Sequence, residues 1–248
     1  MIRIEDLHYR YPDGTVVLKG IDFTIHDGEF LLVCGPNGSG KTTFIRHLNG
    51  LLKPSRGRVL LNGRDTLKAG HDLIRQVGMV FQDADSQILQ ETVWEDVCFG
   101  PENLGLSPEE VRERASRALE TLGIGHLRDK PCHLLSGGEK RRLAIAGVLA
   151  MEPEILIFDE PFANLDYPGV RQVLFQIVEL HRKGHTVLVT THDVEKAVAH
   201  VDRIAVLHEG ELKVAGTPEE IIPMLSSYNV RPPCYSFLGE QPLSWLTV

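Results

Sequence analysis

No uninterrupted apolar run in the chain approaches the roughly 20 residues that a membrane-spanning helix needs. The longest, Leu143 to Met151, is about half that length, so a helix crossing the bilayer is not expected. The opening residues MIRIEDLHYR are partly acidic and have no apolar core, which leaves a secretory leader unexpected. Cysteine is scarce: Cys34, Cys98, Cys132 and Cys234 lie far apart with no C-x-x-C spacing. That scatter argues against a zinc site or a disulfide framework, and suits small apolar filler in a reduced compartment. Positive charge is also short, with Lys+Arg 26 against Asp+Glu 34 and a net charge of −8. A nucleic-acid partner is not expected, because such binders draw affinity from a basic face that neutralises phosphates. A small basic pocket for a phosphorylated ligand stays open. Internal repeats and low-complexity tracts are missing. With 42% hydrophobic and 24% charged residues, the 248 residues suit one sizeable α/β domain.

What is present is a series of short aliphatic and β-branched runs: Val16 to Ile25, Phe30 to Cys34, Val59 to Leu61, Val77 to Phe81, Ile155 to Phe158, Thr186 to Thr190 and Arg203 to Leu207. Several are continuously apolar, as strands buried on both faces of a parallel sheet should be. The segment SPEEVRERASRALETLG predicts a helix capped by Ser107, with Pro108 at its first position and Glu109 and Glu110 at its positive end. Val111, Ala115, Ala118, Leu119 and Leu122 form its apolar stripe, and Gly123 ends it. A helix-rich insertion is expected from Asp83 to about Leu134. The last 25 or so residues, with Pro223, Pro232, Pro233 and Pro242, show no periodicity and are expected to form a loosely packed tail.

Directly after the apolar run Phe30 to Cys34 comes GPNGSGKTT, in which Gly35-x4-Gly40-Lys41-Thr42 completes the phosphate-loop pattern in a strand–loop–helix setting. Gly35, Gly38 and Gly40 let the backbone curl so that its N–H groups face phosphate oxygens. The loop residues Gly35, Pro36, Asn37, Gly38, Ser39, Gly40, Lys41, Thr42 and Thr43 are therefore candidate ATP-binding positions. Lys41 offers a point charge to the β- and γ-phosphates, and Thr42 a hydroxyl to Mg²⁺. A second constellation follows the run Ile155 to Phe158, where Asp159-Glu160-Pro161 stands at the carboxyl end of a buried strand. Asp159 can hold Mg²⁺ and Glu160 can orient or deprotonate the attacking water. The two constellations together point to binding and hydrolysis of a nucleoside triphosphate.

At Leu135 the chain reads LSGGEKRRLAIAGVLAMEPEILIFDEP. This stretch resembles the ATP-binding subunits of ATP-binding-cassette (ABC) transporters. Leu135, Ser136, Gly137, Gly138 and Glu139 correspond to that family's LSGGQ signature, with Glu139 in place of the usual Gln. The resemblance implies an α/β fold: a phosphate-loop core with a mostly parallel sheet, an antiparallel β subdomain and an inserted helical subdomain. It implies a core of 1–82 and 146–222, a helical subdomain of about 83–145 and a short tail of 223–248. It also implies a head-to-tail dimer, homo- or heteromeric, in which the signature of one subunit closes on the γ-phosphate held by the other. Tyr11 matches the aromatic that stacks on adenine, whereas Tyr9 is expected at an ordinary strand position by alternation from Ile2 and Ile4. Gln82 matches a glutamine that senses the γ-phosphate and Mg²⁺. Asp166, in Asn164-Leu165-Asp166, matches a loop crossing the dimer interface. His192 matches the switch histidine that follows a strand and precedes a helix DVEKAVAHVDR.

Narrower signals lie in FQDADSQIL and ETVWEDVCFGPENLGLSPEEV, which resemble the ATPases of energy-coupling-factor (ECF) importers, above all the cobalt and nickel group. That resemblance implies integral membrane subunits as partners and a place on the cytoplasmic face of the cell membrane. A vitamin-uptake or export cassette is the alternative within transporters, and a non-transport ABC ATPase the alternative outside them. Asp83, Asp85, Glu91, Glu95 and Asp96 crowd after Gln82 and read either as a dock for basic groups of a membrane partner or as a solvated acidic face. Phe162 departs from the small hydroxyl residue usual after the proline.

Overall fold

Strands supply the frame, and the computed structural model describes residues 1–238 and 244–246. In chain order come β1 (Ile2–Arg10), β2 (Val16–Ile25), β3 (Phe30–Cys34), α1 (Lys41–Leu48), β4 (Arg56–Leu61), β5 (Arg64–Asp65), α2 (Thr66–Ala69), α3 (His71–Gln76) and β6 (Val77–Val80). A helical stretch follows with α4 (Val93–Asn103), α5 (Pro108–Thr121) and α6 (Gly137–Leu149). The chain then returns through β7 (Ile155–Asp159), α7 (Tyr167–Arg182), β8 (Thr186–Thr191), β9 (Arg203–His208), β10 (Glu211–Gly216), α8 (Pro218–Ile221) and α9 (Cys234–Leu238). Four strands form an antiparallel sheet in the order β2-β1-β4-β5. Six form the second sheet, β10-β9-β3-β8-β7-β6, parallel throughout except for the edge pair β10 and β9. The expected α/β architecture is the observed one.

The central strands divide their side chains by the period of two. Leu31, Val33, Ile157 and Leu188 face a core shared with the antiparallel sheet and with Phe44, Ile45 and Leu48 of α1. Phe30, Leu32, Leu156, Phe158, Val187 and Val189 face the opposite core, built with α6 and α7. Burial on both sides explains why these runs read as unbroken apolar sequence.

In β1 the alternation is reset. Asp6 takes φ 47, and the pairing with both neighbours slips between Ile4 and His8. Ile2 and Ile4 are buried before this bulge, Leu7 is buried after it, and Tyr9 packs half-buried on the same core. Tyr9 holds the ordinary strand position expected of it, but it faces this core because the bulge shifts the alternation that Ile2 and Ile4 begin. Gly57, at φ 84, accommodates it: a Cβ there would stand 2.0 Å from the Asp6 carbonyl oxygen.

The helical stretch is locally encoded. Thr92 with Glu95, Ser107 with Glu110 and Ser136 with Glu139 each close a capping box at the start of α4, α5 and α6. The expected boundary at 145/146 falls inside α6, which continues unbroken until Val148 packs over Gly78 of β6. Two other expectations are corrected. The helix expected after His192 is a pair of short 3₁₀ turns, Val194–Lys196 and Val198–His200. The tail is not loosely packed over residues 223–235: Leu225 is wholly buried, and Val230 and Tyr235 join the core. Pro218 and the capping Thr217–Glu220 pair start that segment, and aliphatic anchors without helical period hold the rest, which is why periodicity missed it. Phe162 is likewise buried in the core under α7, giving its departure from the family pattern a packing role.

Leu225→Ala should lower unfolding free energy by about 2–5 kcal/mol, the usual range for emptying a fully buried leucine site. Urea denaturation followed by circular dichroism measures it. A change near zero would mean that the post-β10 segment is dispensable.

A phosphate loop beside paired carboxylates

Three adjacent strands end within one residue of one another. Cys34 of β3 lies opposite Thr191 of β8, and Thr190 of β8 opposite Asp159 of β7. The residues that follow, Gly35, Glu160 and His192, are therefore brought to one edge of the sheet, the position where ligands of open parallel sheets bind. A cavity of about 450 Å³ opens there, lined by Tyr11, Val17, Asn37, Gly38, Gly40, Lys41, Thr42, Thr43, Gln82, Glu160 and His192.

The loop is set by close packing behind it. A Cβ at Gly35 would lie 2.0 Å from the Leu207 carbonyl oxygen, so no larger residue fits. Gly40 takes φ 104 and precedes α1 with no side-chain cap, leaving first-turn N–H groups directed at a ligand. Ser39 is buried and its backbone spans the loop, donating to the Pro36 carbonyl (3.2 Å) and accepting from the Gly210 N–H (3.2 Å). Lys41 is buried, and its Nζ donates to the carbonyls of Gly35 (2.8 Å) and Pro36 (3.2 Å) and stands 3.7 Å from Glu160 Oε1. Burial pulls the ammonium's pKa down, while Glu160 and Asp159 oppose that pull.

Asp159 is almost fully buried, and its Oδ1 accepts from Thr190 Oγ1 at 2.6 Å and Thr42 Oγ1 at 3.2 Å. Glu160 occupies a strained backbone position, φ 43, fixed by its N–H donating to the carbonyl and hydroxyl oxygens of Thr190. Its carboxylate accepts from His192 Nδ1, 3.1 Å from both oxygens. The expected Mg²⁺ has a fitting donor set: the Thr42 hydroxyl and Asp159 carboxylate meet beside the cavity, with the Gln82 side chain at its wall. Few protein oxygens with phosphate completing the shell is what Mg²⁺ favours.

Tyr11 lines the cavity with its hydroxyl 3.1 Å from Thr43 Oγ1, whereas Tyr9 packs behind it. The signature residues Leu135 to Glu139 and the loop residue Asp166 are not among the lining residues. Ser136 caps α6, accepting from the Glu139 N–H (3.3 Å) while Glu139 Oε2 accepts from the Ser136 N–H (2.6 Å). Glu139 thus fills the capping role open to either Glu or Gln, and its hydrogen bond from the Ser136 backbone holds its pKa down. Asp166 caps α7, its Oδ1 accepting from the Gly169 N–H at 2.9 Å.

Three supporting residues escaped the sequence reading. Thr190 bridges Asp159 and Glu160 as above. Gln87 accepts from the Phe81 N–H (2.9 Å) and donates to the Met79 carbonyl (3.2 Å), pinning the chain on both sides of Val80. Arg141 is buried on α6, its fork donating to the carbonyls of Phe81 and Gln82, each at 2.6 Å. Nothing in the run KRR distinguishes Arg141 from its neighbours, since Lys140, Arg141 and Arg142 each stand four residues before a buried position. The crowded acids also resolve differently: Asp85 pairs with Lys140, Glu95 serves its capping box, and buried Asp96 accepts from the N–H groups of Leu89 and Gln90. Most of that cluster is used inside the chain.

The family model described as ABC transporter matches residues 18–163. The chain belongs to the ABC transporter family. This ABC ATPase is 43% identical over 246 residues to an energy-coupling factor transporter ATP-binding protein, EcfA, of Methanocaldococcus jannaschii, covering 97% of the chain and 88% of that relative. It is 46% identical over 239 residues to a cobalt import ATP-binding protein, CbiO, of Rhodobacter capsulatus, covering 94% and 85%. Its fold superposes on cbiO1 of Clostridium perfringens, described as part of an ABC transporter complex cbiONQ, with a TM-score of 0.82, 41% identity, and 97% and 98% of the two chains covered. A bacterial ABC cassette solved as a dimer gives a TM-score of 0.78 at 28% identity, covering 88% of this chain and 99% of that one. By these likenesses it is an ATPase of the ECF-type ABC transporters. Among the described residues, no helix of this ATPase is long and apolar enough to cross a membrane.

Arg141→Lys should cost about 1–3 kcal/mol of stability, since an ammonium cannot fork to two carbonyls from a buried position. It should also lower ATP turnover by loosening Gln82. Thermal unfolding and a phosphate-release assay read the two effects, and a variant equal to wild type in both would remove Arg141 from the site's support.

Proposed function

We propose that this ATPase powers an ECF-type importer of cobalt or nickel ions, working as a dimer seated on integral membrane subunits at the cytoplasmic face of the cell membrane. The core of 1–82 and 146–222 holds the nucleotide, and the helical part of about 83–145 meets the membrane partner. One observation carries the chemistry: the Glu160 carboxylate, oriented by His192 and set beside Lys41, borders the cavity of the phosphate loop. In this reading Tyr11 contacts the base, and the amides of residues 35 to 43 with the Lys41 ammonium hold the phosphates. Glu160 accepts a proton from the water that attacks the γ-phosphorus, while His192 holds that carboxylate in place. Gln82 sits at the wall where the γ-phosphate ends. Thr42, Asp159 and Gln82 would hold Mg²⁺, which would supply charge neutralisation to the phosphates.

The dimer reading rests on the position of Leu135–Glu139 and Asp166 outside the cavity of their own chain, and on the dimeric cassette that the fold matches. Ser136 and the N-terminus of α6 would then complete the partner's site. The membrane reading rests on an apolar groove of about 480 Å³ between the segment after Gln82, α3 and α4, whose rim includes exposed Ile74, Leu89 and Phe99. Such a rim offers a coupling element more than the internally paired acids do. The cargo reading rests on the relative named for cobalt import. Uptake of labelled Co²⁺ or Ni²⁺ by cells making this chain with its membrane subunits tests it, and uptake of neither metal would overturn it.

Glu160→Gln should keep nucleotide affinity while turnover falls by a factor on the order of 100 or more. Lys41→Ala should weaken nucleotide binding itself. Near wild-type hydrolysis by Glu160→Gln would overturn the assignment of the base. In the Glu160→Gln background, Mg-ATP should drive two chains together in sedimentation, and adding Ser136→Arg should abolish that association while each chain still binds nucleotide. Association that survives the arginine would remove the signature from the interface.

A further inference from the structure

Behind Tyr11 stands a second aromatic that no catalytic role uses. The Tyr9 ring meets the Tyr11 ring edge-on, with centroids 4.9 Å apart and planes at 83°, and meets His47 of α1 in the same manner at 4.8 Å and 72°. Such T-shaped pairs are directional, because the positive edge of one ring seeks the negative face of the other. His47 is buried, with Nδ1 2.7 Å from the Thr43 carbonyl oxygen. A carbonyl only accepts, so Nδ1 carries the proton, and the buried Nε2 has no hydrogen-bond partner. Burial pushes the His47 pKa down, which keeps the ring neutral and leaves packing as its remaining hold on Tyr9. Tyr11 closes the circuit through its hydroxyl, 3.1 Å from Thr43 Oγ1. Tyr9 is thus wedged between the aromatic wall of the cavity and the helix that carries the phosphate loop, and it reaches that place because the Asp6 bulge resets β1.

We propose that Tyr9 is a positioning residue for base recognition: it fixes the angle of Tyr11 against α1, so that the surface receiving the base and the loop receiving the phosphates stand at a set separation. The inference rests on the reading that Tyr11 contacts the base. Without the Tyr9 edge, the Tyr11 ring loses its aromatic partner and keeps the hydroxyl contact, so its angle is less fixed, which weakens contact with the base and leaves the phosphate contacts alone.

Steady-state ATPase kinetics of the full chain, together with binding of Mg-ATP and of magnesium tripolyphosphate (which has no base), test this. Tyr9→Ala and Tyr9→Leu should raise KM for ATP about three- to tenfold, the size of an aromatic pair's coupling, with kcat within about twofold of wild type and tripolyphosphate affinity unchanged. Tyr9→Phe, which keeps the ring edge, should behave as wild type. Tyr9→Ala added to Tyr11→Ala should raise KM no further than Tyr11→Ala alone. If Tyr11→Ala raises KM while both Tyr9 variants leave it unchanged, the positioning role is wrong and the base contact stands. If the Tyr9 variants weaken tripolyphosphate as much as ATP, Tyr9 supports the loop and not the base, and the proposal also fails. An unchanged KM in Tyr11→Ala would overturn the base contact and the positioning role together.

Discussion

A buried ammonium is the constraint around which this molecule is arranged. Lys41 is enclosed between the carbonyls of Gly35 and Pro36 and the carboxylate of Glu160, with Asp159 close behind. Taking such a charge from water is costly unless acceptors and opposite charge are already in place. The loop must curl to bring its carbonyls inward, and Gly35 must sit hard against the Leu207 backbone to allow the curl. The carboxylates must also end their strand at the same depth as the loop. The lysine held this way stands ready at the loop, and a polyphosphate would offer the same cation stronger partners than the carbonyls do.

Parallel pairing meets the depth condition. Because β3, β8 and β7 pair without a slip, residues that follow their last paired positions arrive within one residue of the same level of the sheet. Each strand is held there by apolar side chains on both faces, so sliding one strand by a residue would exchange its two faces between two different cores. The hydrophobic pattern therefore guards the geometry of groups it never touches. Thr190 adds the last adjustment, since its hydroxyl donates to Asp159 and accepts from the Glu160 N–H, locking two consecutive carboxylates into different surroundings.

Much of this was legible in the sequence for a physical reason. Phosphate loops, strand-end carboxylates and helix caps are local devices, encoded in consecutive residues such as Gly35 to Thr43, Asp159-Glu160 and Ser107 with Glu110. What escaped was long-range or depended on one irregular backbone angle. Arg141 gains its meaning from the carbonyls of Phe81 and Gln82, some 60 positions earlier, and Gln87 from a strand that it does not belong to. The burial of Leu225 and Tyr235 follows from where the core has space, not from any period in their own segment. The direction of Tyr9 hangs on the Asp6 bulge, which leaves no mark that alternation can read.

The continuity of α6 has a mechanical consequence. Its 13 residues make a rod about 20 Å long at 1.5 Å per residue, stiff along its axis because every turn is tied to the next. Ser136 stands at one end, Arg141 grips the Gln82 backbone partway along, and Val148 bears on Gly78 at the other. The apolar groove touches this rod near Gly147 and Met151. If the groove is where a membrane partner docks, a displacement imposed there would reach the Ser136 end through this one rigid element and not through a chain of separate loops. A docked partner and a bound nucleotide would then need no residue in common to influence one another.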